Sequence, residues 1–293
     1  MHIANPIYDV VFKFMMEDEK VAKSFLSAII EEEVLELNFA AQKRIRHSLD
    51  NRVPQTEDAE KLFLTVCRFD FSAQISTSNG GIKTVIIELQ KAKFPSDIMR
   101  FRRYRDLYYQ NPNNIYGSEE NKKACPIYSI FLVGYDLDYD IGISNHPIIH
   151  VNYNCENGST KQDFDTTNEF VQSLRHPSWI IQINQLKQSY QNNLEKMLNI
   201  FDQKNRITNH YTLNNHYILN VNEDEFPEMY YPIIRRLRMA SESEDILIGM
   251  EMEDDFIKEL QDKERLIANQ SKMIEEKDKL IKELNKQLAK NQI

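Results

Sequence analysis

The sequence predicts an α/β fold with a helical extension at its carboxy-terminal end. Apolar residues recur close to a 3.6-residue period over residues 7–30, which predicts amphipathic helix. Two β-favouring runs, residues 62–76 and 82–90, flank the turn sequence Ser-Asn-Gly-Gly and predict a hairpin. Residues 127–135 form a nearly continuous apolar run, which is typical of a strand buried on both faces of a sheet.

The other elements follow from the same spacing rules. The acidic stretch at residues 16–19 predicts a break between two short helices, and residues 34–39 fit either a strand or a helix end. After the hairpin, Ser96 is a candidate N-cap for a helix that runs to about Tyr109. Later in the chain we predict strands at residues 148–153 and 179–183 and helices at residues 185–200 and 227–238.

The carboxy-terminal segment has a seven-residue apolar repeat. Leu260, Ile267, Ile274, Ile281 and Leu288 recur every seven residues, and Leu266, Met273 and Leu280 flank them. Gln270 and Lys277 interrupt the second apolar position of the heptad, so the seam is imperfect. The pattern predicts either a coiled coil that joins copies of the chain or binds a helical partner, or a lone helix docked on the domain. We therefore divide the chain into a main domain (1–240), an acidic linker (241–255) and an amphipathic helix (256–293).

Charge is segregated along the chain. The net charge of −9 by itself disfavours nucleic acid binding. However, residues 239–255 hold seven acids and no base, whereas residues 100–105 hold four arginines and no acid. A local basic face could therefore meet phosphate while the acidic segment stays away from it, although both segments also fit ordinary solvated surfaces.

Several classes of protein are disfavoured by composition. The cysteines Cys67, Cys125 and Cys155 are far apart, which excludes a zinc ribbon and fits a reducing compartment. The opening residues lack the basic start and apolar core of a signal peptide, and no apolar run approaches a membrane span. The histidines show no metal-binding spacing. We expect a cytoplasmic protein without a membrane partner.

Two acids stand inside the apolar runs of the predicted hairpin. Glu88 and Gln90 are two residues apart, so they project from one face of a strand while Leu89 packs into the core. If Asp70 on the neighbouring strand faces the same way, two carboxylates and an amide converge. Carboxylate oxygens are the ligands that Mg²⁺ uses in phosphate chemistry. The alternative is that Asp70 lies at a strand end and pairs with Arg68 or a surface lysine.

This arrangement resembles the PD-(D/E)XK nucleases, with Asp70 and Glu88 as the two acids and Gln90 at the position that usually holds lysine. The opening segment Asn5–Lys13 and the segment Arg100–Tyr104 narrow the resemblance to the PD-(D/E)XK nuclease family transposases, relatives of the recombination-promoting nucleases. In this group an E-x-Q triplet is familiar. The detailed resemblance covers residues 1–110, and the rest of the chain is similar in element order alone.

The resemblance implies a restriction-endonuclease-like αβββαβ core that cleaves DNA with Mg²⁺, for which Mn²⁺ would substitute, in recombination or in the movement of mobile elements. It implies metal ligands at Asp70, Glu88, the Leu89 backbone carbonyl and Asp9, catalytic roles for Gln90 and Tyr104, and phosphate contacts from Arg100, Arg103 and Lys13.

Some of these residues also fit purely structural roles. Tyr104 also fits the apolar stripe of its helix, and Asp9 also suits the first turn of a helix because of the dipole. A second function on the same fold is a catalytically degenerate binding or assembly protein that acts through its helical tail. A third is a toxin that cleaves RNA or nucleotides.

Overall fold

The computed structural model describes residues 1–39, 66–76, 80–92, 115–116, 123–124, 127–134, 137, 147–154, 159–162, 168–172, 174, 176–186, 192–207 and 217–291. Its strands are β1 (His2–Ala4), β2 (Val34–Phe39), β3 (Val66–Ser76), β4 (Ile82–Ala92), β5 (Ile115–Tyr116), β6 (Lys123–Ala124), β7 (Ile127–Val133), β8 (Ile148–Asn154), β9 (Ser159–Gln162), β10 (Ser178–Gln182) and β11 (Ile218–Asn220). Its α-helices are α1 (Asp9–Met16), α2 (Glu19–Ile30), α3 (Glu169–Gln172), α4 (Asn193–Leu198), α5 (Tyr231–Ser241) and α6 (Glu244–Asn291).

A mixed sheet organises the fold. Seven of the described strands pair in the order β2-β3-β4-β7-β10-β8-β9. Strands β2, β3 and β4 form an antiparallel meander, β7 lies parallel to β4, and β10 lies parallel to β7. Strands β8 and β9 return antiparallel at the far edge. The α/β prediction is confirmed, as are the hairpin and the strand that follows it.

Two helices cover one side of the sheet, and their boundary falls in the predicted acidic break. Helix α1 ends at Met16, and α2 begins after Asp18, whose carboxylate accepts hydrogen bonds from the backbone N–H groups of Lys20 and Val21. That cap satisfies two donors which a helix start otherwise leaves unpaired. Glu31 ends α2 in the left-handed conformation, with φ of 57°.

The sheet separates two hydrophobic cores. Side chains of α1, α2 and α5 join Phe71, Ile87 and Leu89 in the larger core, so we call this side of the sheet the helix-covered face. The other side, which we call the opposite face, contributes Phe131 and Ile180 to a smaller core with Val171 of α3. Every residue of β7 is buried, as expected for a strand covered on both faces.

The acidic segment, expected to be a linker, is helical from Glu244 onward. Glu244 and Asp245 lie in the first turn of α6, where acids interact favourably with the helix dipole. Ile246 and Met250 are buried in the larger core. The chain divides into two compact units, Met1–Met250 and Glu251–Ile293, rather than at residues 240 and 256.

A glycine permits close packing of α6 on α1. A β-carbon at Gly249 would lie 2.9 Å from the Val10 Cγ2 atom, which is closer than van der Waals contact allows. No helix of the described residues is long and apolar enough to cross a membrane.

Two predicted helices have different outcomes. The helix predicted at residues 185–200 is shorter, because Asn192 caps a new start for α4 by accepting a hydrogen bond from Glu195 N–H. The helix predicted from Ser96 to Tyr109 lies outside the described residues, and so do Arg100, Arg103 and Tyr104.

Candidate active site

The register of the β3–β4 hairpin pairs Asp70 directly with Glu88 and Arg68 directly with Gln90. Residues directly opposite each other in an antiparallel pair share one face of the sheet, with β-carbons about 4.5–5.5 Å apart. The two acids therefore occupy neighbouring positions on one face, with Arg68 and Gln90 beside them on that face. The structure describes the backbone of these four residues.

That shared face is the opposite face of the sheet. Ile87 and Leu89, which flank Glu88 in β4, are fully buried in the core under the helices. Successive residues of a strand point to alternate faces, so the Glu88 position lies away from α1 and α2. The Leu89 side chain is buried in the core, so the backbone carbonyl is the group of this residue that could act as a metal ligand.

A row of polar positions continues across the sheet from the two acids. Glu88 is in register with Ser129 of β7, and Ser129 is in register with Ser178 of β10. Both serines are buried, and the Ser178 hydroxyl donates a hydrogen bond of 2.9 Å to the His176 carbonyl. The next row, by contrast, passes from Gln90 to the apolar residue Phe131. The positions next to the acid pair, towards the middle of the sheet, are therefore small polar residues.

On the helix-covered face the same strand carries a buried ion pair. The Lys91 ammonium lies 2.6 Å from the Asp9 Oδ1 atom, and both side chains are at least 96% buried. Lys91 also donates a hydrogen bond to the Ile7 carbonyl, and its Nζ atom lies 5.6 Å from the centre of the Phe12 ring. A buried ammonium needs a counter-charge, which Asp9 supplies.

This pair changes the expectation for Asp9. As a metal ligand, Asp9 was expected beside Asp70 and Glu88, but its carboxylate contacts Lys91 on the other side of the sheet. Lys13, four residues further along α1, is exposed, but it also belongs to the helix on the side of the sheet away from the two acids. Lys91 is one residue out of phase with Glu88 in alternation order, so it lies on the other face of β4, where α1 supplies its partner.

A second polar cluster on the helix-covered face surrounds Tyr128. Its hydroxyl accepts a hydrogen bond of 2.8 Å from Lys83 Nζ and donates one of 3.3 Å to Glu32 Oε2. Burial raises the pKa of the Tyr128 phenol; the Lys83 ammonium partly opposes this rise, and Glu32 adds to it. The hydroxyl is therefore favoured in its neutral form between two charged groups. This points to a structural role for the cluster rather than to a general base.

Aromatic rings on neighbouring strands pack next to Tyr128. The Tyr128 and Trp179 ring centres are 5.2 Å apart, and His150 stacks on Trp179 at 4.8 Å with an interplanar angle of 12°. Sequence reasoning missed the cluster because its members come from five separated segments of the chain. The available signal was the tyrosine within the mostly apolar run of β7.

Among the described side chains, no three or more His, Cys, Asp and Glu residues form a group that could hold a metal ion, and the side chains of Asp70 and Glu88 are not among those described. Comparison with known protein families, with curated proteins and with solved structures finds no match to this chain. The resemblance to the nuclease family transposases therefore remains an expectation based on the residues named above.

Proposed function

We propose that the chain is a Mg²⁺-dependent nuclease that hydrolyses phosphodiester bonds in DNA, with Asp70 and Glu88 as metal ligands. The observation that carries this proposal is the direct cross-strand pairing of the two acids. Like charges at directly opposed positions destabilise a sheet, and a cation between them removes that cost. Carboxylate oxygens also match the ligand preference of Mg²⁺.

Strand β4 supplies two further groups of the proposed site. When bound, Mg²⁺ lowers the pKa of a water and neutralises charge on the phosphate. The carbonyl of Leu89 is a further oxygen ligand, and the buried Leu89 side chain fixes the backbone that carries it. Gln90 orients the water through its amide, which can both donate and accept hydrogen bonds.

The positive charge that Gln90 lacks comes, in this proposal, from Arg68. Arg68 is paired with Gln90 on the face that carries Asp70 and Glu88. A guanidinium stays charged at every working pH and binds phosphate through two parallel hydrogen bonds. Arg100 and Arg103 provide further phosphate contacts, and Tyr104 orients the phosphate or the water. Binding through these local bases would weaken steeply with added salt.

The decisive experiment is nicking of supercoiled plasmid by the purified protein with Mg²⁺, Mn²⁺ or chelator. We expect metal-dependent nicking that is lost in Asp70→Asn and in Glu88→Gln. Glu36→Gln is the matched control, because Glu36 lies exposed on β2 in the same sheet. Nicking that survives both site variants, or that needs no metal, would refute the proposed metal site.

The role of Arg68 is tested by a pair of substitutions. Arg68→Ala should lower the nicking rate about 10²-fold, because one charged donor at the phosphate is lost. Arg68→Lys keeps the charge and should recover part of the rate. Equal rates in the wild type and in Arg68→Ala would remove Arg68 from the site while leaving the two acids in place.

A catalytically degenerate binding protein is the second candidate function, and the placement of lysines in β4 favours it. Lys83 and Lys91 are the lysines of this strand, and both contact residues on the helix-covered face. Calorimetry with Mn²⁺ combined with cleavage assays separates the two functions. A folded wild-type protein that binds Mn²⁺ through Glu88 but cuts neither plasmid, single-stranded DNA nor RNA is degenerate, whereas cleavage of RNA alone supports the toxin alternative.

A further inference from the structure

Six large apolar side chains of the helical tail, residues 251–293, are exposed to solvent. Their exposed fractions are 52–61%, for Leu266, Ile267, Met273, Ile274, Leu280 and Ile281. Each adjacent pair recurs after seven residues, so the three pairs lie on one side of the helix. An unpartnered apolar face of this length is typical of an interaction surface rather than of scattered surface residues.

The positions along the centre of this apolar face, which we call the midline, are mostly polar, and they restrict how a second helix can pack against it. On a helix the midline between such adjacent pairs falls at the positions of Lys263, Gln270, Lys277 and Leu284. In a parallel pair of tails, each midline lysine would face the same lysine of the other copy. Like charges facing each other across a partly dry seam are destabilising, so the midline disfavours the parallel arrangement.

We propose that the tail binds a second copy of the same tail in antiparallel orientation, with the two-fold axis between Met273 and Ile274. In this register Lys263 faces Leu284 of the other copy, and Gln270 faces Lys277. The apolar pairs meet as well, since Ile267 lies level with the other copy's Leu280 and Leu266 with its Ile281. No midline lysine then faces another lysine.

Charge along the tail supports the same orientation. Residues 254–270 hold five acids and three bases, whereas residues 277–293 hold five bases and two acids. The antiparallel register brings these two oppositely charged segments together, whereas parallel pairing would bring like with like. Within the helix, Glu259 lies 2.9 Å from Lys263 and so already offsets one midline lysine.

The first experiment measures association of the full-length chain by sedimentation equilibrium. We expect a dimer whose dissociation constant rises about 100-fold or more in the double variant Ile267→Glu/Ile274→Glu, because two apolar side chains of each copy are replaced by charges. Ala268→Glu is the matched control, since this exposed residue lies on the far side of the helix. Circular dichroism confirms that the variants keep their helix. A monomeric wild type, or equal dissociation constants for both variants, would overturn the proposal.

The second experiment reads the orientation from disulfide cross-links. Leu266→Cys and Ile281→Cys chains are oxidised separately and as a mixture, and the bonds are mapped by mass spectrometry so that the native cysteines do not interfere. Antiparallel tails should give the 266–281 bond in the mixture and little same-site bonding. Predominant same-site bonds would overturn the orientation. Binding of the tail to anionic lipid vesicles by a monomeric chain would instead assign the apolar face to a membrane surface.

Discussion

The two faces of strand β4 present opposite solutions to the same problem of charge in a sheet. On the helix-covered face, Lys91 is buried and the chain itself supplies the counter-charge through Asp9 at 2.6 Å. On the opposite face, the register sets Glu88 directly across from another acid, Asp70. One face thus pairs unlike charges, and the other pairs like charges.

This difference separates a charge that the chain itself neutralises from a pair of like charges that we propose to bind a metal. A buried ion pair within the chain needs no outside group and joins α1 to β4. Two carboxylates at directly opposed positions need a cation, which the chain supplies through Arg68 or which the solution supplies as a metal. The comparison therefore predicts that charge removal has opposite effects on the two faces.

The largest effect is expected on the helix-covered face. Lys91→Met removes the ammonium that contacts Asp9 and leaves a buried carboxylate without this counter-charge, so the free energy of unfolding should fall by about 3–5 kcal/mol. The double variant Asp9→Leu/Lys91→Met removes both charges and should recover most of that loss. Urea unfolding measures both values.

Lys23→Met is the matched control for this series. Lys23 pairs with Glu19 at 2.6 Å, but the glutamate is 59% exposed, so the loss should stay within about 0.5 kcal/mol. A similar loss for Lys91→Met and Lys23→Met would mean that the buried pair contributes no more than a surface pair, and the contrast between the faces would disappear.

The faces were not equally readable from the sequence. Alternation of residues in β4 places Glu88 and Gln90 on one face and Leu89 and Lys91 on the other, and the Gly-rich turn predicts the antiparallel pairing with β3. The partner of Lys91 was not readable, because Asp9 is distant in sequence and reaches β4 through the packing of α1. The identity of the covered face likewise depends on tertiary packing.

The tail shows the same limit. Its seven-residue repeat predicts a helix from Phe256, yet α6 begins at Glu244. The seven acids at residues 239–255 predict a linker at residues 241–255 by composition, but Ile246 and Met250 are buried and Gly249 approaches Val10 closely, so tertiary contacts hold this segment as helix. A high local content of charged residues is therefore a weak predictor of a linker where tertiary contacts stabilise the segment as a helix.

A smaller effect of opposite sign is expected on the opposite face. With chelator present, Glu88→Gln removes one of two directly opposed negative charges and should raise the free energy of unfolding by about 0.2–1 kcal/mol. Mg²⁺ should then stabilise the wild type against heat more than it stabilises the variant, because a ligand stabilises only the state that binds it.

Thermal unfolding with chelator or Mg²⁺ checks both statements. Destabilisation of the metal-free protein by Glu88→Gln would instead show that the carboxylate already has a partner within the chain, with Arg68 as the first candidate. That outcome favours the alternative in which the two acids are structural.

An effect of similar size concerns Tyr128, whose hydroxyl hydrogen-bonds two charged side chains on the helix-covered face and whose pKa is raised by burial. A phenol with a higher pKa in the folded than in the unfolded state contributes stability that is complete below pH 10, about the unfolded pKa, and is lost as the pH rises through the folded pKa. At neutral pH, Tyr128→Phe should lower the free energy of unfolding by about 1 kcal/mol, because the hydrogen bonds to Lys83 and Glu32 are lost.

Above pH 10 the difference in unfolding free energy between the wild type and Tyr128→Phe should narrow, while the buried Tyr230 contributes equally to both proteins. Urea unfolding from pH 8 to pH 11 measures this gap, and a gap that widens at alkaline pH would mean that Lys83 favours the phenolate more than burial opposes it.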